Sequence, residues 1–226
     1  MACGGWEVRE MRLYHGSKAG IVGVIAPISR GCCDFGRGFY MGSEPTQPKT
    51  LICHSDSPVF YELEFDPTGL VIRDLTVDLP WALLVAYNRG RLHAYVGTVI
   101  EEKMRELVAG ADVLRGRIAN DRVFFAAERF FDGSITIETL IDVLKALNYG
   151  DQYVAVTQRA CDAVRIVSER TLDETECRNL RERNDRQRKR AEELTARIMR
   201  EHRHKDGRFI DEICDEIVEK GVLPCN

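Results

Sequence analysis

The chain has 226 residues, 44% of them hydrophobic and 30% charged, and its 32 Lys and Arg against 36 Asp and Glu leave a formal net charge of -4. This excludes a disordered or fibrous protein and fits one sizeable domain with an appendage. A mildly acidic total also argues against a protein held to its partner by attraction to phosphate backbones.

In chain order, Arg12-Leu13-Tyr14-His15 leads into Gly16 as a strand. Val59 to Phe65 alternates apolar and polar residues before the turn Asp66-Pro67-Thr68-Gly69, which predicts a second strand. A helix is predicted over Asp121 to Phe131, with Phe124, Phe125, Phe130 and Phe131 in the core. Another is predicted over Ile137 to Leu147, with Thr136 as N-cap, Glu138 in its first turn and Gly150 past its end. Strands follow at Gln152 to Thr157 and Val164 to Val167. Because strands and helices do not alternate regularly, the class expected is α+β rather than a doubly wound parallel sheet.

Residues 173–206 lack Gly and Pro up to Asp206 and place Cys177, Leu180, Ala191, Leu194 and Ile198 at three-and-four spacing, which predicts one long helix. Asn184 and Gln187 interrupt the stripe, so a helix packed along the body is expected rather than a strong coiled coil. Beyond Gly207, Phe209, Ile210, Ile213 and Ile217 mark a short amphipathic helix ending before Pro224. Charge follows this division: net -6 over residues 1–177, +6 over 178–208 and -4 over 209–226. The organisation expected is a domain over 1–167 and a helical C-terminal extension over 168–226.

The first thirty residues carry Glu7 and Glu10 and lack the apolar h-region of a signal sequence, and no stretch of about 20 apolar residues occurs. A cytoplasmic protein with no membrane partner is expected. Eight cysteines without a C-x-x-C, in a chain of this length, point to reduced thiols and no metal.

Asp34-Phe35-Gly36 spells the kinase magnesium motif, but no glycine-rich loop, strand lysine or catalytic loop accompanies it. Gly36-Arg37-Gly38 is not followed by a third glycine or a helical pattern, so no dinucleotide fingerprint or P-loop is supported. What remains is a constellation: Leu13-Tyr14-His15-Gly16-Ser17, then Asp34-Phe35-Gly36-Arg37-Gly38-Phe39-Tyr40, then Asp151-Gln152-Tyr153-Val154. A histidine at a strand end beside a glycine can both donate and accept hydrogen bonds, which suits a ribose hydroxyl and a carboxamide. The turn-prone segment ending in Phe39-Tyr40 can offer an aromatic face to a flat heterocycle.

Together these motifs resemble the ADP-ribosyltransferase clan of the His-Tyr-Glu type, to which poly(ADP-ribose) polymerases belong. They are closer still to an uncharacterised bacterial family in that clan with LYHGS, KDFGxGFYLT, AND[KR] and QYVF segments; the third reads Ala119-Asn120-Asp121-Arg122 here. The resemblance spans about residues 12–167 and implies split antiparallel sheets with flanking helices and NAD as co-substrate. His15 would bind the nicotinamide-side ribose, the Gly16 backbone the carboxamide, and Tyr40 would stack on the nicotinamide. Ser17, Gly38, Phe39, Asn120 and Arg122 are further expected NAD contacts.

The third position, a glutamate in the family pattern, is Gln152, which can orient a ribose but cannot bring a full negative charge to an oxocarbenium-like transition state. Successive strand residues face opposite ways, so Asp151 cannot share the pocket with Gln152. A second departure is Gln47-Pro48-Lys49-Thr50-Leu51, where related sequences place an aromatic. The activity expected is mono-ADP-ribosyl transfer to a macromolecular acceptor, protein or nucleic acid, in a toxin with a small antitoxin-like partner. The alternatives are a slow NAD glycohydrolase, a catalytically impaired NAD-binding or partner-binding module, and a basic interaction helix over 178–208.

Overall fold

A computed structural model describes residues 10–29, 32–117, 121–147 and 150–224, and within these not the side chains of residues 121–124. Among the described residues the strands are β1 (Met11–Ser17), β2 (Phe39–Gly42), β3 (Val59–Phe65), β4 (Ile72–Leu75), β5 (Val113–Arg117), β6 (Asp151–Ala155) and β7 (Val164–Thr171). The helices are α1 (Thr46–Ile52), α2 (Leu79–Asn88), α3 (Val99–Val108), α4 (Asp121–Phe131), α5 (Ile137–Ala146), α6 (Gln158–Asp162), α7 (Glu174–His202) and α8 (Ile210–Lys220). The class is α+β, as expected.

The strands form one seven-stranded sheet in the order β4-β5-β6-β2-β1-β3-β7. It differs from the expected split antiparallel sheets in two ways. First, β4 and β5 are parallel, a pairing that needs a long crossover, which α2 and α3 supply. Second, the halves β4-β5-β6-β2 and β1-β3-β7 are joined rather than separate. The join is thin: β1 and β2 pair at Tyr14 and Gly42, whereas β1 and β3 pair along the whole strand from Met11–Phe65 to Ser17–Val59.

Strand alternation sorts the core. Leu13, Phe39, Met41, Tyr61, Leu63 and Tyr153 share one face, covered by α6 and by Ile21 and Ile25 of the β1–β2 connection. Tyr40, Leu114 and Val154 share the other, packed against the helices. There α2 is the centre: Asp78 caps it by accepting from the Trp81 N–H at 3.0 Å, Pro80 fits its first turn, and Leu79 and Trp81 through Ala86 are buried.

The helix predicted over Ile137 to Leu147 is α5, capped by the Thr136 hydroxyl on the Thr139 N–H. The predicted long helix is α7, capped by Asp173. It lies along the body: Cys177, Ala191 and Ile198 are buried and Leu180 and Leu194 partly so. Its first turn is held by Glu176, on which Arg170 of β7 makes two hydrogen bonds and Lys49 of α1 closes to 3.2 Å; these hold the carboxyl down at about 2. The expected boundary at residue 167 falls within β7, and Ala191 and Ile198 of α7 share one core cluster with Ile210, Ile213 and Ile217 of α8 and with α2.

The aromatic cluster of α4 is divided. Phe130 is fully buried and Phe131 packs at the core edge, but Phe125 is 37% exposed, contrary to its expected core position, because it faces the open side between α4 and α7. Phe124 lies outside the described side chains.

Since α8 completes the core under α2 and α3, Ile213→Ala should cost about 2–4 kcal/mol of global stability. Urea unfolding should still show one transition for sheet and helices alike; a separate early transition of the C-terminal helices would refute the shared core.

Candidate functional site

The three sequence motifs lie on β6, β2 and β1, which are adjacent in the sheet. Residues more than a hundred positions apart are thereby brought together. The side chains, however, divide between its faces. Tyr40 is paired with Val154 and Gly42 with Gln152, so Tyr40 and Gln152 share the helix-covered face. His15 follows Tyr14, the partner of Gly42, and belongs to the opposite face.

There the His15 ring stacks on Phe39, with centroids 4.4 Å apart. Its Nδ1 lies 2.7 Å from the Tyr40 carbonyl oxygen. A carbonyl only accepts, so Nδ1 carries the proton and Nε2 the lone pair. This bond sits where β1 and β2 part beyond the Tyr14–Gly42 pair, so an imidazole serves a carbonyl that the thin ladder does not. Burial holds the imidazole below the ordinary histidine range, against the opposing effect of the Tyr40 carbonyl.

Tyr40 is half-buried and its hydroxyl is engaged. It donates to the Gly36 carbonyl at 2.8 Å and accepts from the Phe35 N–H at 3.1 Å. Burial raises its phenol, with Cys33 acting in the same direction. Tyr40 thus pins the turn at residues 33–38. That turn passes through Gly36 at a φ of +78°, a left-handed conformation that favours glycine.

The two expected ligand-approach glycines are used for packing. A Cβ on Gly16 would lie 2.5 Å from the Pro48 carbonyl oxygen of α1, and one on Gly38 would lie 2.4 Å from Val154 Cγ1. Ser17 donates to the Gly20 carbonyl at 2.8 Å, turning the chain out of β1. Asn120 lies outside the described residues and Arg122 outside the described side chains.

Gln152 is 5% exposed, and its Nε2 donates to Asp34 Oδ2 at 3.2 Å and to the Arg117 carbonyl at 3.3 Å. Asp151 faces the other way, as alternation requires. It pairs with Arg115 at 3.0 Å and lines a cavity of about 460 Å³ with Asp74, Arg117 and Lys145. Asp34 is therefore the carboxylate beside Gln152, and sequence reasoning did not place it in the site. It is buried, accepts from Arg89 Nε at 2.8 Å, and has its own carbonyl bound by Asn88 Nδ2 at 3.0 Å. Its position within the Asp34-Phe35-Gly36 segment was the available signal. Nothing in the sequence pointed to Arg89, which lies 55 residues away at the end of α2.

Two outcomes follow from these contacts. Arg89→Met should cost about 3–5 kcal/mol, because it strands a buried carboxylate, and adding Asp34→Asn should recover part of that loss; an additive double variant in urea unfolding would refute the coupling. For His15, the unfolded chain takes up the proton more readily than the fold does. Its contribution is then fully present above about pH 6.5 and is lost as pH falls from there through the lower folded value. His15→Gln should flatten the decline in unfolding free energy below pH 6.5; an unchanged slope would refute the assignment.

The family model described as "Protein of unknown function (DUF3990)" matches residues 11–166, a span that runs from β1 into β7 and includes all three motif strands. No curated protein and no solved structure matches the chain. Because the family model covers well over half of its length, this chain belongs to the DUF3990 family.

Proposed function

We propose that the protein binds NAD and carries out mono-ADP-ribosyl transfer to a macromolecular acceptor. The observation that carries this reading is the side-by-side arrangement of β1, β2 and β6, which gathers the HGS, FGRGFY and QYV segments at one place in the sheet. A ligand that reaches both His15 Nε2 and the Tyr40 ring must enter at the rim where β1 and β2 part, because the two side chains belong to opposite faces. In the step proposed, the bond between the ribose C1′ and the nicotinamide nitrogen breaks and nicotinamide leaves as a neutral molecule. A bond forms from C1′ to the acceptor nucleophile, whose proton passes to solvent; water in its place gives hydrolysis. Tyr40 would stack on the nicotinamide and His15 would hold the ribose.

A second reading, NAD binding with impaired turnover, is favoured by Gln152. Its amide is engaged by Asp34, and the Asp34 charge is met by Arg89, so the cluster brings no net negative charge to a developing cation.

Calorimetry with NAD beside chromatography of released nicotinamide tests both. Transfer predicts binding, nicotinamide release and labelling of a macromolecule in cell extract, each reduced at least tenfold in Tyr40→Ala. Binding without release selects the second reading, and absence of binding overturns both. Tyr40→Phe, which keeps the ring and loses the hydroxyl, should bind NAD more nearly as the parent protein does, separating stacking from loop anchoring.

A further inference from the structure

A second cavity, of about 570 Å³, lies between α4, the start of α5, the last turns of α7 and the approach to α8. It is of a size that holds small molecules. It is built jointly by the family-matched segment and the helices beyond residue 166. Its charged lining is basic: Arg129, Arg200, Arg203 and Lys205, with His202 beside them.

Two neighbouring arginines sit against carboxylates, Arg208 against Glu138 and Arg197 against Glu201. Among the described residues no carboxylate stands at ion-pair distance from Arg129, Arg200, Arg203 or Lys205. Two acids of α5 are engaged nearby: Asp142 is 3.2 Å from His202 Nε2, and Glu138 accepts from the Arg208 N–H at 3.0 Å. Lys205 Nζ lies 3.1 Å from the same His202 nitrogen. Cations gathered around one concavity repel one another, and a bound anion relieves that repulsion. Guanidinium forks match the geometry of phosphate oxygens.

The rest of the lining is apolar or hydroxylic. Phe125 and Phe209, each 37% exposed, stand with Met199 and Ile135, and Arg129 already lies over the Phe125 ring at 5.2 Å. The Thr136 and Thr139 hydroxyls are 3.0 Å apart at the first turn of α5. Aromatic edges beside a cationic wall suit a flat base joined to phosphates.

We propose that this cavity binds a free nucleoside diphosphate, with its phosphates on Arg200, Arg203 and Lys205 and its base against the wall formed by Phe125 and Phe209. The site shares no residue with the NAD reading. It is tested with the full-length, isotope-labelled protein by following backbone amide shifts during titration with ADP, adenosine and inorganic pyrophosphate. ADP should move and saturate the amides of residues 134–139 and 196–205. Adenosine should bind at least tenfold more weakly, and the double variant Arg200→Glu, Arg203→Glu should weaken ADP at least tenfold. Lys205→Glu, an exposed change outside the helices, serves as an independent variant and should weaken ADP severalfold. The proposal is overturned if those amides stay still at millimolar ADP, if adenosine matches ADP, or if neither variant shifts the midpoint. Pyrophosphate binding as tightly as ADP would overturn the assignment of the base. Because the readout is resolved by residue, ADP bound near β1 and β2 would move other amides and would not be mistaken for this site.

Discussion

A buried carboxylate governs how the motif strands meet. Asp34 sits in the connection between β1 and β2, and its charge is met by Arg89 at the end of α2 while its second oxygen accepts from Gln152 on β6. Three elements distant in sequence are tied at one point. Burying a charge without a partner costs several kcal/mol, so the connection has one low-energy seat on the helical layer. Tyr40 then fastens the same turn from the β2 side through Phe35 and Gly36. Such a pair contributes little net stabilisation, since the desolvation of both ions offsets much of their attraction, but removal of either partner leaves the other charge buried and unmet.

The fold was legible where local chemistry decides local structure. Thr136 and Asp173 have side-chain oxygens that cap the helices they precede, and β3 keeps the apolar alternation of a strand with one face in the core. It was not legible where tertiary burial removes the pattern. In α2 the run from Trp81 to Ala86 is wholly buried, so no polar face marks a helical period. The short strands β4 and β5 owe their pairing to the crossover rather than to alternation. β7 continues past Val167 into Ser168-Glu169-Arg170-Thr171, a polar run whose backbone is fixed by the ladder with β3, so composition ended the predicted strand too early.

The site was legible as a set of neighbouring strands but not as a set of facing side chains. Sequence order gives no register between β1 and β2, and register decides the face on which His15 lies. Gly16 and Gly38 illustrate a related ambiguity. A motif glycine suggests close approach of some other group, and here that group is Pro48 in one case and Val154 in the other. Residue type alone places Phe125 in the core, but its neighbour across the helix surface is an arginine, and the ring stays at the rim of a cavity.

The amide at position 152 is best understood together with Asp34. An acid at 152 would place a second carboxylate about 3 Å from the first, and two carboxylates at that separation cannot both ionise without a large rise in one of their proton affinities. An amide removes the conflict and adds a donor: its N–H groups reach both Asp34 and the Arg117 carbonyl. The amide near the start of β6 therefore does not leave this place without a carboxylate. The carboxylate stands one position away in space, on the loop before β2, where Arg89 neutralises it. Any chemistry proposed for this rim must work with a charge-balanced cluster of Asp34, Arg89 and Gln152, which can orient a polar ligand through the surrounding backbone but does not itself supply a bare anion.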